Sequence, residues 1–303
     1  MNKKFPIILA GPTGCGKSSI ALELAKKFSY EIICADSRQI YKYMRIGVAG
    51  PTDVHLNLVR HHCYNIIDLT EVFNVAKFIN ICDLNIDKLK NQKKNFILVG
   101  GSGLYLKLFR YGLSNIPASN KKIRKQFELI LKKHNVRFLY ERLKLIDKHV
   151  ANKISSNDSI RIIRALEINQ ITGKKPSSLF KCFYKQDIRI KANWVLCWPE
   201  YLWLVKRLIK RIDNMFHQGL IEEAVLLRNK LHVNHRLLHT IGYEEALLVN
   251  DNKLSLENAK ARILLRQTHY AKKQYTWFKK EKWWNRVNPS LINVIDIISK
   301  III

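Results

Sequence analysis

Gly11-Pro12-Thr13-Gly14-Cys15-Gly16-Lys17-Ser18 spells glycine, four residues, then Gly-Lys-Ser, the pattern of a phosphate loop. Its flanks suit the motif. Phe5-Pro6-Ile7-Ile8-Leu9-Ala10 is a short apolar run of the kind a buried parallel strand makes. Residues 18–28 read as a helix with Ile20, Leu22, Leu24, Ala25 and Phe28 available for packing. Glycines let the backbone bend so that its N–H groups converge on oxygen anions, and the start of a helix adds partial positive charge. Lys17 supplies a full charge, and the Ser18 hydroxyl can hold Mg²⁺. The loop predicts binding of a pyrophosphate-like group; it does not specify ATP.

The chain has 303 residues, 47% of them hydrophobic, which is ample for one large domain or two smaller ones. Its net charge of +29 implies an anionic partner, with nucleic acid the first candidate. Richness in Lys, Asn and Ile accounts for part of that charge as compositional bias. The six cysteines (Cys15, Cys34, Cys63, Cys82, Cys182 and Cys197) are scattered singly, with no Cys-x-x-Cys pair. Neither a zinc ribbon nor a disulfide framework is suggested, and a reduced, cytoplasmic setting is expected. No apolar run approaches a membrane span. Lys3 and Lys4 precede an apolar run too short for a signal peptide.

Further along, Glu31-Ile32-Ile33-Cys34-Ala35-Asp36-Ser37 is a second apolar strand ending in an acid. A carboxylate at the carboxyl end of such a strand points into the ligand crevice, so Asp36 is a candidate general base or metal-shell ligand. A turn residue or helix N-cap is the plainer reading. His61-His62 is more simply structural than metal-binding. Residues 75–89 are expected to be helical, and Phe96-Ile97-Leu98-Val99 is a third strand running into Gly100-Gly101-Ser102-Gly103-Leu104-Tyr105. That strand lacks the terminal acid that holds Mg²⁺ in common NTPases.

The character changes after about 113. Residues 121–133 form a basic amphipathic helix capped by Ser119 or Asn120, residues 138–154 a second, and residues 160–171 a third, capped by Asn157-Asp158 and ended by Gly173 and Pro176. The segment 174–191 is polar and weak as structure. The expected fold is therefore α/β: a P-loop NTPase-like parallel sheet flanked by helices, formed by 1–115 and 191–303, with an all-helical insertion at 116–190. Arg161 and Arg164 share a helix face, open either to pairing with Glu167 or to RNA.

Trp194-Val195-Leu196-Cys197-Trp198 returns to the sheet; helices follow at 200–216 and 221–231, and another begins at Thr240. His232, His235 and His239 have no thiolate or carboxylate among them to complete a zinc site. A last long helix spans 255–281. Arg266, Lys273 and Trp277 share one of its faces, with His269, Tyr270, Tyr275, Trp283 and Trp284 interleaved among basic residues. Cations holding phosphates beside rings that stack on bases suit RNA, while part of the aromatic side belongs to the core.

Taken together these motifs resemble the tRNA dimethylallyltransferases (tRNA isopentenyltransferases). The stretches that carry the likeness are the phosphate loop, Asp36-Ser37-Arg38-Gln39-Ile40-Tyr41, His61-His62 with Ile67-Asp68, and Gly100-Gly101-Ser102-Gly103. Later come Arg164-Ala165-Leu166-Glu167, Thr240-Ile241-Gly242-Tyr243-Glu244 and Lys272-Lys273-Gln274-Tyr275-Thr276-Trp277-Phe278. The likeness spans nearly the whole chain in order.

The resemblance implies transfer of a dimethylallyl group from dimethylallyl pyrophosphate to the exocyclic amine of the adenosine just 3′ of the anticodon, in tRNAs that read codons beginning with U. It implies that Gly11, Pro12, Thr13, Gly14, Cys15, Gly16, Lys17 and Ser18 hold pyrophosphate, with Mg²⁺ on Ser18. Asp36 is implied as general base, with Lys17 and Arg211 stabilising the leaving group. The tRNA anticodon stem-loop is implied to meet Asp36, Ser37, Arg38, Gln39, Ser102, Arg124, Ile160, Arg161, Ile162, Ile163 and Arg164. Further contacts are implied at His239, Thr240, Ile241, Gly242, Tyr243 and Glu244, and at Lys272, Lys273, Gln274, Tyr275, Thr276, Trp277, Phe278 and Lys279. A monomer without a membrane partner is expected, its helical insertion clamping the stem-loop. Tyr43, Arg45, Val48 and Gly50 depart from the family's Gly, Asp, Thr and Lys. Two rivals share features: a small-molecule P-loop kinase, which leaves the basic aromatic C-terminal helix unexplained, and an inactive RNA-binding protein, which leaves Lys17, Ser18 and Asp36 unexplained.

Overall fold

Short Ile/Val/Leu runs punctuated by glycine loops produce six parallel strands: β1 (Ile7–Ala10), β2 (Glu31–Cys34), β3 (His61–His62), β4 (Phe96–Gly100), β5 (Asn193–Cys197) and β6 (Asn285–Val287). The computed structural model describes residues 5–113, 116–183 and 188–302, without the side chains of 181–183 and 302. Lys3, Lys4, the Cys182 side chain and part of the segment 174–191 lie outside the described residues.

The strand order is β3-β2-β4-β1-β5-β6. Ile7 pairs with Ile97 on one side of β1 and with Asn193 on the other, all in parallel register. Strands buried on both faces need no polar alternation, and β1, β2 and β4 are buried at every position. The sheet ends at two strands that the sequence did not flag: β3, formed by the histidine pair, and β6. Both are too short for periodicity to register.

The chain forms two compact units, residues 1–107 with 190–303, and residues 108–189. The first contains the sheet with α1 (Lys17–Phe28), α2 (Asp53–Leu58), α3 (Val75–Asn91) and the start of α4 (Gly103–Tyr111). The second holds α5 (Lys121–His134), α6 (Val136–Ile146), α7 (Lys148–Ala151), α8 (Ser159–Thr172) and α9 (Pro176–Phe183). Completing the first are α10 (Tyr201–His217), α11 (Leu220–Lys230), α12 (Tyr243–Asn250), α13 (Leu256–Lys279) and α14 (Val294–Ile302). The second unit begins at Leu108, earlier than the 116 read from the sequence.

The helical unit packs Phe127, Leu139, Leu143, Val150, Ile162, Ile163 and Leu166 into its own core. Asn120 caps α5 and Asp158 caps α8, while Gly173 ends α8 at φ 67. Two expectations are corrected here. The helix read over 138–154 breaks at Asp147, whose Oδ1 accepts the Val150 N–H at 3.1 Å and whose Oδ2 accepts the Ser177 N–H at 2.7 Å. The segment read as weak structure contains α9, with Pro176 at its first position, where the missing proline N–H costs nothing.

Candidate active site

The carboxyl ends of β1, β2 and β4 open onto a cavity of about 780 Å³. Thr13, Gly14, Gly16, Lys17 and Ser18 line it from the glycine loop, together with Asp36, Gln39, Arg207 and Arg211. Gly16 sits at φ 86 immediately before α1, a left-handed conformation that favours glycine. Gly11, Pro12 and Cys15 lie behind the rim, buried. Cys15 has no exposed surface and packs with Cys197 beside Gly11, so its thiol is closed off from the cavity. Lys17 Nζ reaches back to the Pro12 carbonyl at 3.2 Å.

Helix α10 brings two guanidinium groups to this loop one turn apart. Arg207 Nε donates to the Gly14 carbonyl at 3.1 Å, and its guanidinium stacks 4.9 Å over the Trp203 ring. Arg211 Nη1 donates to Thr13 Oγ1 at 3.1 Å. Arg211 Nε is enclosed and has no hydrogen-bond partner among the described residues. Burial pushes the Arg211 pKa down against the attraction of Asp36. A half-enclosed guanidinium without an acid on it calls for an anion.

Asp36 lies two residues past β2. Its Oδ1 accepts the Arg38 N–H at 2.8 Å and the Gln39 N–H at 3.3 Å, which fixes the carboxylate. Oδ2 has no hydrogen-bond partner among the described residues. Asp36 is thus a strand-end turn residue that also turns a carboxylate oxygen to the cavity. Ser37 and Arg38 are half-buried beside it. Tyr105 is buried next to Asp36, and burial together with that charge pushes its pKa up to about 12. Tyr270 is 41% exposed overall, but partial desolvation of its ring end and the Asp36 charge, beside Ser102 and Arg38, push its pKa up to about 12. His61 also lines the cavity; Nδ1–H donates to the Val59 carbonyl at 2.8 Å, and burial pushes its pKa down. His62 is structural: its Nε2 meets Glu31 Oε2 at 2.6 Å.

Several residues implied to touch tRNA are committed elsewhere. The Gln274 Oε1 accepts the Thr13 N–H at 2.8 Å and its Nε2 donates to the Gly101 carbonyl at 2.9 Å, so this buried amide ties α13 to the phosphate loop. Gln39 Nε2 donates to the Val48 and Ala49 carbonyls, both at 3.1 Å. Phe278, Tyr243, Ile162 and Ile163 are core side chains with 0–5% exposure, so their rings and methyls are closed to RNA. Trp277 covers Gly103, where a Cβ would come within 2.3 Å of its ring. Tyr275 donates to the Pro199 carbonyl at 2.8 Å, and Trp283 and Trp284 pack edge-on to Trp194. Of the rings read as base-stacking, Tyr275, Trp277, Trp283 and Trp284 are wall or core, while His269 and Tyr270 are exposed.

Arg164 takes the first of the two readings open in the sequence, the pairing with Glu167. Its Nη1 donates to Glu167 at 2.7 Å and its Nη2 to the Pro117 carbonyl. Glu167 has no exposed surface and also accepts from Ser119 Oγ and the Asn120 N–H, with Arg124 at 4.0 Å. Arg266 is bound to Glu244, Glu245 and the His239 carbonyl. Glu244 is therefore occupied, Thr240 Oγ1 is buried, and Ile241 and Gly242 lead into α12. Ile160, Arg161, His239, Lys272, Lys273, Thr276 and Lys279 remain exposed. Sequence reasoning passed over Arg207, Glu223 and Tyr105. For Arg207 a signal existed, since it lies four residues before Arg211 on one helix face.

The donor set suits Mg²⁺. Ser18 offers an exposed hydroxyl at the cavity, with the partnerless Oδ2 of Asp36 on the same lining. Among the described residues no group of three or more His, Cys, Asp or Glu side chains gathers as a metal cage. A cation held by one hydroxyl must take its other oxygens from phosphate and water, which is the habit of Mg²⁺. Among the described residues no helix is long and apolar enough to cross a membrane.

A family model described as IPP transferase matches residues 39–281. The chain is 35% identical over 289 residues to the tRNA dimethylallyltransferase of Finegoldia magna, covering 94% of this chain and 92% of that protein. It is 39% identical over 285 residues to that of Protochlamydia amoebophila, covering 92% and 83%. Among solved structures, the tRNA isopentenylpyrophosphate transferase of Staphylococcus epidermidis superposes with a TM-score of 0.69 at 30% identity, covering 98% of each chain. A eukaryotic dimethylallyltransferase, captured crystallographically acting on tRNA, superposes with a TM-score of 0.80 at 27% identity, covering 99% of this chain and 78% of that one. The chain belongs to the IPP transferase family.

Proposed function

We propose that the protein transfers a dimethylallyl group from dimethylallyl pyrophosphate to the exocyclic amine of the adenosine 3′ to the anticodon of tRNA, in tRNAs that read codons beginning with U. The observation that carries this reading is Arg211, a half-enclosed cation with a partnerless Nε, seated on the phosphate loop across the same cavity as Asp36. An anion and a proton acceptor are thereby served in one space.

The donor's pyrophosphate lies on the loop amides, with Lys17, Arg207 and Arg211 around it. The five-carbon chain lies on the apolar lining, which includes Val48, Ala49, Val99 and Met215. The donor C–O bond breaks while the amine nitrogen bonds to the same carbon. The electron pair of the broken bond leaves on pyrophosphate, whose growing charge the cations stabilise. The amine proton passes to Asp36 Oδ2, since Oδ1 is engaged by two amides. Ser18 would hold Mg²⁺, which when bound neutralises pyrophosphate oxygens. The adenine reaches the cavity only outside its stack. Exposed Lys272, Lys273 and Lys279 hold RNA phosphates, and the helical unit adds Arg161. We place the protein in the cytoplasm, acting as a monomer.

The test is mass spectrometry of tRNA treated with protein, Mg²⁺ and dimethylallyl pyrophosphate. One five-carbon unit on the adenosine 3′ to the anticodon is expected, with equimolar pyrophosphate released. Unmodified tRNA overturns the proposal.

A further inference from the structure

Glu223, on α11, carries four hydrogen-bond donors on its one carboxylate. Oε2 accepts the Arg45 N–H at 3.1 Å and the Ile46 N–H at 2.8 Å; Oε1 accepts the Gly47 N–H at 2.9 Å and the Tyr243 hydroxyl at 2.7 Å. Three consecutive backbone amides thus converge on one side chain. Only an ionised carboxylate accepts from four donors while offering none itself. A glutamine at this position would set its own NH₂ against N–H or O–H groups.

The segment held this way is a wall of the active-site cavity. Arg45, Ile46, Val48 and Ala49 line the same space as Lys17, Asp36 and Arg211. The far end of the wall is pinned by Gln39, whose Nε2 donates to the Val48 and Ala49 carbonyls and whose N–H donates to Asp36 Oδ1 at 3.3 Å. Ala49 is held at φ 47, a left-handed backbone that an alanine adopts only when its surroundings impose it. Gly47 packs so close to Tyr243 that a Cβ would lie 2.4 Å from the ring. The side chains of the wall do none of this holding. Arg45 is turned to Asp53 at 2.9 Å, and Val48 is apolar.

We infer that Glu223 is a positioning residue for the donor. Its carboxylate fixes the 45–49 wall against which the five-carbon chain lies. It takes no proton in the reaction, because its oxygens are occupied. The inference rests on the prenyl-transfer reading.

The test is steady-state kinetics of full-length Glu223→Gln with dimethylallyl pyrophosphate and tRNA, alongside binding of inorganic pyrophosphate. A roughly 10- to 100-fold loss in kcat/KM for the donor is expected, since small misplacements near the reacting atoms are costly. The loss falls on donor KM, while KM for tRNA and pyrophosphate affinity stay at wild type. Adding Ala49→Gly, which relieves the left-handed strain, should restore part of it. A wild-type donor KM with only a reduced kcat marks a folding role and overturns the inference. Should Glu223→Gln not fold, Tyr243→Phe, which removes one of the four donors, takes its place under the same criterion. Failure of the prenyl-transfer reading shows differently: the wild type itself then transfers nothing.

Discussion

Arg211 Nη1 stands 3.1 Å from Thr13 Oγ1, and this bond fastens α10 to the glycine loop while leaving Arg211 Nε enclosed and unpartnered. A cation held this way is costly to the protein alone and stabilising once an anion arrives. Arg211→Ala should lower turnover by roughly 10²–10³-fold, the range for losing one preorganised group that stabilises developing charge. Binding of tRNA should be unchanged. Lysine should rescue little, because a point charge cannot keep the Thr13 bond while facing phosphate. Single-turnover rates of the two variants check this.

Asp36→Asn separates charge from geometry. The asparagine Oδ1 can still accept the Arg38 and Gln39 amides, so the turn persists, but Oδ2 becomes a donor. Transfer should fall by about 10²–10⁴-fold with tRNA affinity retained. Unchanged turnover removes Asp36 from the chemistry.

On α13, the exposed lysines and Arg266 should respond to mutation in opposite ways. Losing Lys273 or Lys279 should weaken tRNA binding and lower its salt slope by about one per phosphate contact, leaving the melting temperature alone. Arg266→Ala should instead lower stability by about 1–3 kcal/mol, because Glu245 has no exposed surface and loses a donor. Salt titrations paired with thermal melts separate the two.

Glu167 gives the helical unit an acid-sensitive joint. Burial favours its neutral form, but the bonds from Arg164, Ser119 and Asn120 outweigh that and hold its pKa below the usual 4.5. The unfolded chain therefore binds the proton first as pH drops. The stabilisation is fully present above about 4.5 and fades as pH falls through the lowered value. Glu167→Gln should be less stable at neutral pH and should flatten that acid limb in denaturant titrations at stepped pH.

Much of this was legible in the residues. The phosphate loop, four of the six strands, the caps at Asn120 and Asp158 and the stop at Gly173 are local signals, set by spacing and turn chemistry. What stayed hidden is nonlocal. Asp147 interrupts a helical pattern because Ser177, thirty positions on, completes its bonds. Trp283 and Trp284 look like base-stackers until Trp194 is seen beneath them. Phe278 and Gln274 sit in a basic stretch yet face inward, since a helix shows both faces in one line of text. Glu223 gives no sequence signal at all, because its partners are three backbone amides and the Tyr243 hydroxyl, all distant in the chain.

The most direct measurement incubates the purified protein with Mg²⁺, unmodified tRNA and labelled dimethylallyl pyrophosphate, with a parallel tube containing ATP. Label entering tRNA while ATP stays intact is the predicted result, because the loop serves the donor's pyrophosphate. ATP consumed with tRNA unlabelled contradicts the account and makes the chain a kinase on a similar fold.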